Sequence, residues 1–192
     1  MVPDEERRML LRLAREAIRC RLLGARLRLP ERDSPRDDYL WEPRGVFATL
    51  TMQGVLRGCI GTILPVSPLI EAVARNAQAA AFEDPRFEPL DDSELAGVTI
   101  ELSLLSSPLE QQFSSFVELT TALQEQKPGV ILQRGPLQAT FLPQVWEELP
   151  DVRGFLAALA RKGGIPYESL ERNTCRILTY TVEAFSERDY SA

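Results

Sequence analysis

The sequence predicts an α+β fold, mainly antiparallel sheets with flanking helices. Three observations carry this reading. Apolar strands are joined by tight, glycine-bearing turns, and helical periodicity is confined to the crossovers. The order strand, strand, helix, strand also occurs twice, over about 45–106 and about 117–186. With 192 residues, 44% hydrophobic and 26% charged, the chain has the composition of an ordinary globular protein and is expected to form one domain, 1–192.

The first element is a helix over 4–24. Asp4, Glu5 and Glu6 place negative charge where a helix N-terminus favours it, and Leu10, Leu11, Ala14, Ala17, Ile18 and Leu22 recur at helical spacing. Gly24 is its stop signal. Residues 30–44, with Pro30, Pro35 and Pro43 among charges, read as an irregular connection. A hairpin follows: Val46 to Thr51 and Val55 to Ile63 flank a turn at Gln53-Gly54. Ser67 as N-cap and Pro68 at the first helical position open a helix with the apolar stripe Leu69, Ile70, Val73, Ala74, Ala77 and Ala81. Ala79-Ala80-Ala81 suits close packing against a sheet, and Asp84-Pro85 ends the helix in a turn. Val98 to Leu105 is a strand with Val98, Ile100, Leu102 and Leu104 on one face and Glu101 and Ser103 on the other.

The second half repeats the order. Val117 to Gln124 is a short helix, and Val130 to Leu132 with Gln138 to Leu142 form a hairpin around Arg134-Gly135-Pro136. A helical stretch starts at Gln144, and a longer helix over Val152 to Lys162 ends at Gly163-Gly164. Cys175 to Phe185 reads as one final strand.

Composition excludes several functions. The chain has no histidine, so it holds no Ser-His or Cys-His dyad and no histidine metal ligand. Its three cysteines, Cys20, Cys59 and Cys175, are far apart and form no CxxC pair, which argues against a disulfide framework or a structural zinc site. Neither GxGxxG nor GxxxxGK[ST] occurs. No cofactor and no metal is expected. There is no apolar run of roughly 20 residues, and the charged N-terminus lacks a signal-peptide pattern, so the chain reads as cytoplasmic. Charge is uneven: residues 7–36 carry ten Arg against Glu16, Glu31 and Asp33, a net of +7 in a chain of net −6. Such a segment is either a solvated helix face or a surface for an anionic partner such as nucleic acid.

The chemistry concentrates in Leu56-Arg57-Gly58-Cys59-Ile60-Gly61. In a regular strand Arg57 and Cys59 share one face while Leu56 and Ile60 anchor the other in the core. An Arg beside a thiol favours the thiolate, and Gly58 and Gly61 leave room for something to approach the backbone. The alternative for Cys59 is a small buried hydrophobe. Glu101 joins Arg57 and Cys59 on one face if its strand neighbours the Cys59 strand. Asp84 and Arg86, in the loop after the intervening helix, are further candidates for binding. As alternatives, Asp84 is ordinary turn punctuation and Glu101 sits on a solvated face.

These residues carry a resemblance. The hexapeptide Leu56 to Gly61 is similar to the signature of the AMMECR domain family, whose bacterial and archaeal members are called AmmeMemoRadiSam system protein A. Gly45-Val46-Phe47, Asp84-Pro85-Arg86-Phe87 with Pro89-Leu90, Ile100 to Leu105, Leu142 to Val145 and Lys162-Gly163-Gly164 resemble further family segments, so the likeness spans about 45–185. Where many relatives have His-Gly-Leu, this chain has Lys127-Pro128-Gly129-Val130. The resemblance implies an α+β fold with a larger and a smaller subdomain. It also implies the company of a Memo-type protein and a radical S-adenosylmethionine enzyme, and it names no reaction.

Three functions are weighed. The first is an enzyme or enzyme subunit with a small-ligand or partner-dependent site around Cys59, with Cys59 as nucleophile or thiol carrier, Arg57 lowering its pKa or holding an anion, and Glu101 or Asp84 handling protons. The second is a nucleic-acid-binding module using the Arg-rich N-terminal segment. The third is a non-catalytic partner of a Memo-type or radical enzyme. The first is preferred, and nucleic-acid binding is expected to be weak at most because the rest of the chain is acidic.

Overall fold

The computed structural model describes residues 2–31 and 38–190. The chain divides into two compact units, residues 1–105 with 183–192, and residues 106–182. In the first unit the chain runs through α1 (Asp4–Leu22), a four-residue helix α2 (Asp38–Trp41), β1 (Val46–Met52), β2 (Val55–Thr62), α3 (Leu69–Phe82) and β3 (Val98–Leu105). The second unit contains β4 (Leu109–Glu110), α4 (Phe116–Gln126), β5 (Gly129–Arg134), β6 (Leu137–Phe141), α5 (Val145–Glu148), α6 (Val152–Lys162), α7 (Glu168–Glu171) and β7 (Arg176–Tyr180). The chain then returns through β8 (Val182–Ser186) to the first unit, where the described residues close with a 3-10 turn, Glu187–Tyr190.

Two four-stranded sheets result, ordered β2-β1-β3-β8 and β4-β7-β5-β6. The pairings β1–β2, β1–β3, β5–β6, β5–β7 and β4–β7 are antiparallel, which makes the fold α+β. The sheets share one plan: a hairpin, then a strand that crosses back to pair with the hairpin's first strand. The fourth strand of each sheet is exchanged. β4 follows β3 but joins the second sheet, and β8 follows β7 but joins the first. The single strand expected over Cys175 to Phe185 is therefore two, parted at Thr181, because its halves pair in different sheets.

In the first unit α1 packs on α3 and β3, and α3 packs on β1 and β2. The apolar side of the sheet is Val46, Ala48, Leu50, Val98, Ile100, Leu102 and Leu104, all buried in one cluster with the helix stripes. The predicted stripe of α3 is buried as expected, with Ala80 rather than Ala79 turned inward. Asn76 joins that face without breaking the rule that buried polar groups are bonded: its Nδ2 donates to the Val46 carbonyl and to Thr62 Oγ1, both at 2.9 Å. Gly24, at φ +62°, stops α1 two residues past its last turn. The hairpin turn puts Gln53 and Gly54 at φ 52° and 84°, as a two-residue loop between right-twisted strands requires.

Some expectations are corrected. Ser67 does not cap α3. Pro68 holds the N-cap position with no side-chain bond, while Ser67 Oγ accepts from Arg75. Part of the connection expected over 30–44, residues 32–37, lies outside the described residues, and so do Arg32, Asp33 and Arg36 of the Arg-rich segment. In the second unit Lys127 takes the left-handed C-cap of α4 at φ 46°, and the Pro128 carbonyl accepts from Trp146 Nε1 at 2.8 Å. Trp146 stacks on Phe155, centroids 3.8 Å apart, and the Phe141 edge meets Phe155 at 5.3 Å, forming the aromatic centre of that core.

The closest fit of helix to sheet is at Gly58. A Cβ there would be driven into the Ala80 carbonyl oxygen of α3. The Gly58→Val protein is therefore expected to lose about 3 kcal/mol or more through forced separation of α3 from β2, lowering Tm by about 2–4 °C per kcal/mol. A thermal melt checks this, and a wild-type Tm would show that the helix can move aside freely.

Candidate functional site

β2 is an edge strand, so every second residue turns its backbone N–H and C=O away from β1. At Cys59 both outward groups are taken up by the loop after α3. The N–H donates to Asp84 Oδ2 at 2.8 Å, and the carbonyl accepts from Arg86 Nη2 at 3.3 Å. Asp84 is also the acceptor for the Arg86 N–H at 3.1 Å, Arg86 Nε at 2.9 Å and Arg86 Nη2 at 2.7 Å. Its side chain is only 2% exposed, while that of Arg86 is 54% exposed. The paired guanidinium, helped by the Cys59 and Arg86 N–H groups, holds the Asp84 carboxyl far below the usual carboxylate range. The Arg86 guanidinium is in turn held above its ordinary value, first by Asp84. Arg86 is thus the cation in contact with the Cys59 backbone.

Arg57 is engaged elsewhere. Its Nε and Nη2 each donate to a Glu94 carboxylate oxygen at 2.8 Å, a bidentate pair that raises its pKa and draws Glu94 down. The side chain is 15% exposed, and its Nη1 is buried without a hydrogen-bond partner. Arg57 therefore pins the turn before β3, where Asp91 Oδ1 accepts from the Ser93 and Glu94 N–H groups.

The reason lies in the register. Cys59 pairs with Thr49 and Gly58 with Leu50, but Leu56 pairs with Thr51, so β2 carries one extra residue, Arg57. This bulge resets the alternation. Leu56 moves to the face of Thr51 and Cys59 and is 38% exposed, which corrects the expectation that it anchors the core. Ile60 does pack against the core cluster.

Across the same face, Thr49 pairs with Cys59 on one side and Glu101 on the other. Cys59, Thr49 and Glu101 form a row over three strands, on the side of the sheet away from α1 and α3. Thr49 Oγ1 donates to Cys59 Sγ at 3.4 Å. Backbones two strands apart are about 10 Å apart, so Glu101 faces the other end of whatever meets Cys59 rather than the thiol itself. Gly61 lies under the Phe47 ring, which a Cβ at Gly61 would strike. The space at both glycines is therefore filled by the protein's own atoms, Ala80 for Gly58 and Phe47 for Gly61.

The structure thus brings Cys59, Asp84 and Arg86 together at one strand edge and directs Arg57 to Glu94; Glu101 shares the face but stands two strands away, because β1 and not β3 neighbours β2. Sequence reading missed Thr49 and Glu94. Thr49 was legible as an outward residue of β1, but only the register makes it the partner of both Cys59 and Glu101. The other two cysteines differ from Cys59. Both are buried, and burial pushes each thiol up, with Glu16 adding to the effect at Cys20. Among the described residues no three His, Cys, Asp or Glu side chains gather as a metal-binding group. No helix among them is long and apolar enough to cross a membrane.

The family model AMMECR1 matches residues 11–185. A protein of Methanothermobacter thermautotrophicus is 37% identical over 185 residues, covering 95% of each chain. One from Thermococcus gammatolerans is 36% identical over 196 residues, covering 97% of this chain and 92% of its own. The crystal structure of the uncharacterized protein PH0010 from Pyrococcus horikoshii superposes with a TM-score of 0.81 at 34% identity, over 96% of this chain and 93% of that one.

The Asp84 clamp has a pH signature. A carboxylate depressed on folding contributes stability that is fully present above its unfolded value near 3.8 and drains away as pH falls toward the folded value. Asp84→Asn is expected to cost about 2–3 kcal/mol at pH 7. Its stability should also fall less steeply than wild type on acidification below about pH 4. Urea melts at pH 7 and at pH 3 check this, and parallel pH profiles would remove Asp84 as the source.

Proposed function

This chain belongs to the AMMECR1 family, and from that premise we propose that the sheet face around Cys59 binds a small anionic ligand and presents the Cys59 thiol to it. The observation that carries the reading is Arg86. Its guanidinium is fixed by a buried carboxylate, touches the Cys59 backbone, and is still half exposed. A cation held in place at the Cys59 backbone attracts negative charge on an incoming molecule. Thr49 adds a donor to the sulfur. Glu101, in the same row, faces the far end of a ligand lying across β1 and β3.

The roles divide by chemistry. Cys59 is the nucleophile: the sulfur's electron pair forms an S–C bond, the leaving group departs with the pair of the bond broken, and the thiol proton goes to solvent. Arg86 takes the anion. Asp84 is ionised and saturated with donors, so it positions Arg86 and does not carry protons near neutral pH. Arg57 acts at one remove, by holding the turn that precedes β3. With no histidine in the chain, a partner molecule must reach Cys59 already electrophilic. That suits a protein working beside an enzyme better than an independent hydrolase.

Alkylation by iodoacetate and iodoacetamide, one charged and one neutral, tests the reading. In both reactions an S–C bond forms and iodide leaves. Cys59 is expected to react before Cys20 and Cys175 at pH 7, read by peptide mapping. Arg86→Gln is expected to lower the iodoacetate-to-iodoacetamide rate ratio at Cys59 by about threefold or more, and Arg86→Lys by less. Equal labelling of the three thiols, or an unmoved ratio, overturns it.

A further inference from the structure

A groove on α1 stands apart from Cys59. It measures about 580 Å³ and is lined by Arg8, Leu11, Arg12, Arg15 and Arg19 of α1, with Glu16 beside them and Glu187 and Tyr190 of the C-terminal turn opposite. Four arginines face two carboxylates there, and the carboxylates are spoken for. Glu187 grips Arg15 through Nε and Nη2, both at 2.6 Å, while Arg15 also donates to the Leu95 and Val98 carbonyls. Glu16 grips Arg19 through two bonds of 2.7 Å. The first pair ties α1 to the C-terminal turn, and the second is an exposed i,i+3 pair within α1.

Arg8 and Arg12 are different. Neither has a hydrogen-bonded or ion-paired carboxylate among the described residues, and both are exposed. They are one helical turn apart on one face, about 6 Å along the axis. Arg8 lies over the Tyr190 ring at 4.7 Å, and Tyr190 Oη donates to Asp4 Oδ1 at 3.4 Å, so the ring is held on its outer side. Leu11, 3% exposed, gives the groove an apolar floor. A solvated arginine face needs none of this. It would be convex and without an apolar floor or a fixed ring.

We propose that this groove binds a small organic phosphate, the phosphoryl group between Arg8 and Arg12 and the carbon skeleton along Leu11 and Tyr190. Two unpaired guanidiniums match the charge of a phosphate dianion, and planar guanidinium is the side chain suited to bidentate phosphate recognition. The volume lies within the range of small-molecule sites. A nucleic-acid strand is the weaker fit: it needs a track of free cations, whereas the other two arginines here are already paired, and the whole chain is acidic at −6.

The test uses the full chain, with phenyl phosphate and inorganic phosphate as probes, followed by amide chemical shifts in NMR titrations. Both are expected to perturb 8–19 and 187–190. Phenyl phosphate is expected to bind about threefold or more tightly than inorganic phosphate. Arg12→Gln is expected to weaken phenyl phosphate at least about tenfold, and Arg86→Gln to leave it within about twofold. The last arm separates this groove from the Cys59 face, so either proposal can fail alone. Shifts centred on Cys59 and Arg86, an Arg12→Gln protein that binds normally, or a single-stranded oligonucleotide that displaces phenyl phosphate with steep salt dependence would each overturn the assignment.

Discussion

A carboxylate taken out of water must be given donors, and Asp84 collects four, from Cys59 N–H and from three nitrogens of Arg86. Much of the first unit's geometry follows from meeting that demand. The loop after α3 is drawn against β2, an open strand edge is capped at Cys59, and Arg86 is fixed where its outer side still meets solvent. The neighbouring contact of Gly58 with Ala80 sets how near α3 may come, and without that closeness Asp84 would not reach the Cys59 N–H. Packing and electrostatics here are one device: the small residues bring the helix in, and the carboxylate locks its end to the strand.

The two faces of the first sheet differ in chemistry. One face is buried against α1 and α3 and is apolar throughout. The other carries Thr49, Thr51, Cys59, Thr99 and Glu101, residues able to donate, accept or react, with Arg86 at the edge. A sheet needs only one apolar face to fold, which frees the second for polar chemistry. The half-exposed guanidinium beside a partly exposed thiol is the point where that freedom is most concentrated. On α1, Arg15 ties the helix to the C-terminal turn and Arg19 pairs with Glu16, while Arg8 and Arg12 are without a carboxylate partner among the described residues.

Much of this was legible in the residues themselves. The Gln53-Gly54 turn, the alternation of Val98 to Leu105, the stripe of α3 and the stop at Gly24 all rest on local rules, and local rules operate whatever the rest of the chain does. The hexapeptide around Cys59 and the Asp84-Pro85-Arg86 turn do meet in space, and Glu101 lies on the face that its strand pattern assigned. What went astray was each statement that assumed unbroken alternation or nearness in sequence. Leu56 was placed in the core by a period-two rule that the bulge at Arg57 breaks. Period two pairs Arg57 with Cys59, two positions on, while Glu94, far along the chain, offers two carboxylate oxygens in bidentate geometry. Cys175 to Phe185 read as one strand because nothing in its own residues says that its two ends pair with different sheets.

The sequence by itself determined the α+β class, the antiparallel hairpins, the absence of histidine chemistry and the identity of the glycine-flanked thiol, since composition and short-range periodicity suffice for these. Only the tertiary structure decided which cation stands beside Cys59, that Thr49 joins Cys59 to Glu101, that the two glycines make room for Ala80 and Phe47, and which arginines of α1 are left unpaired. Those outcomes depend on strand register and on contacts between residues distant in the chain, where one extra residue in a strand moves a side chain to the opposite face.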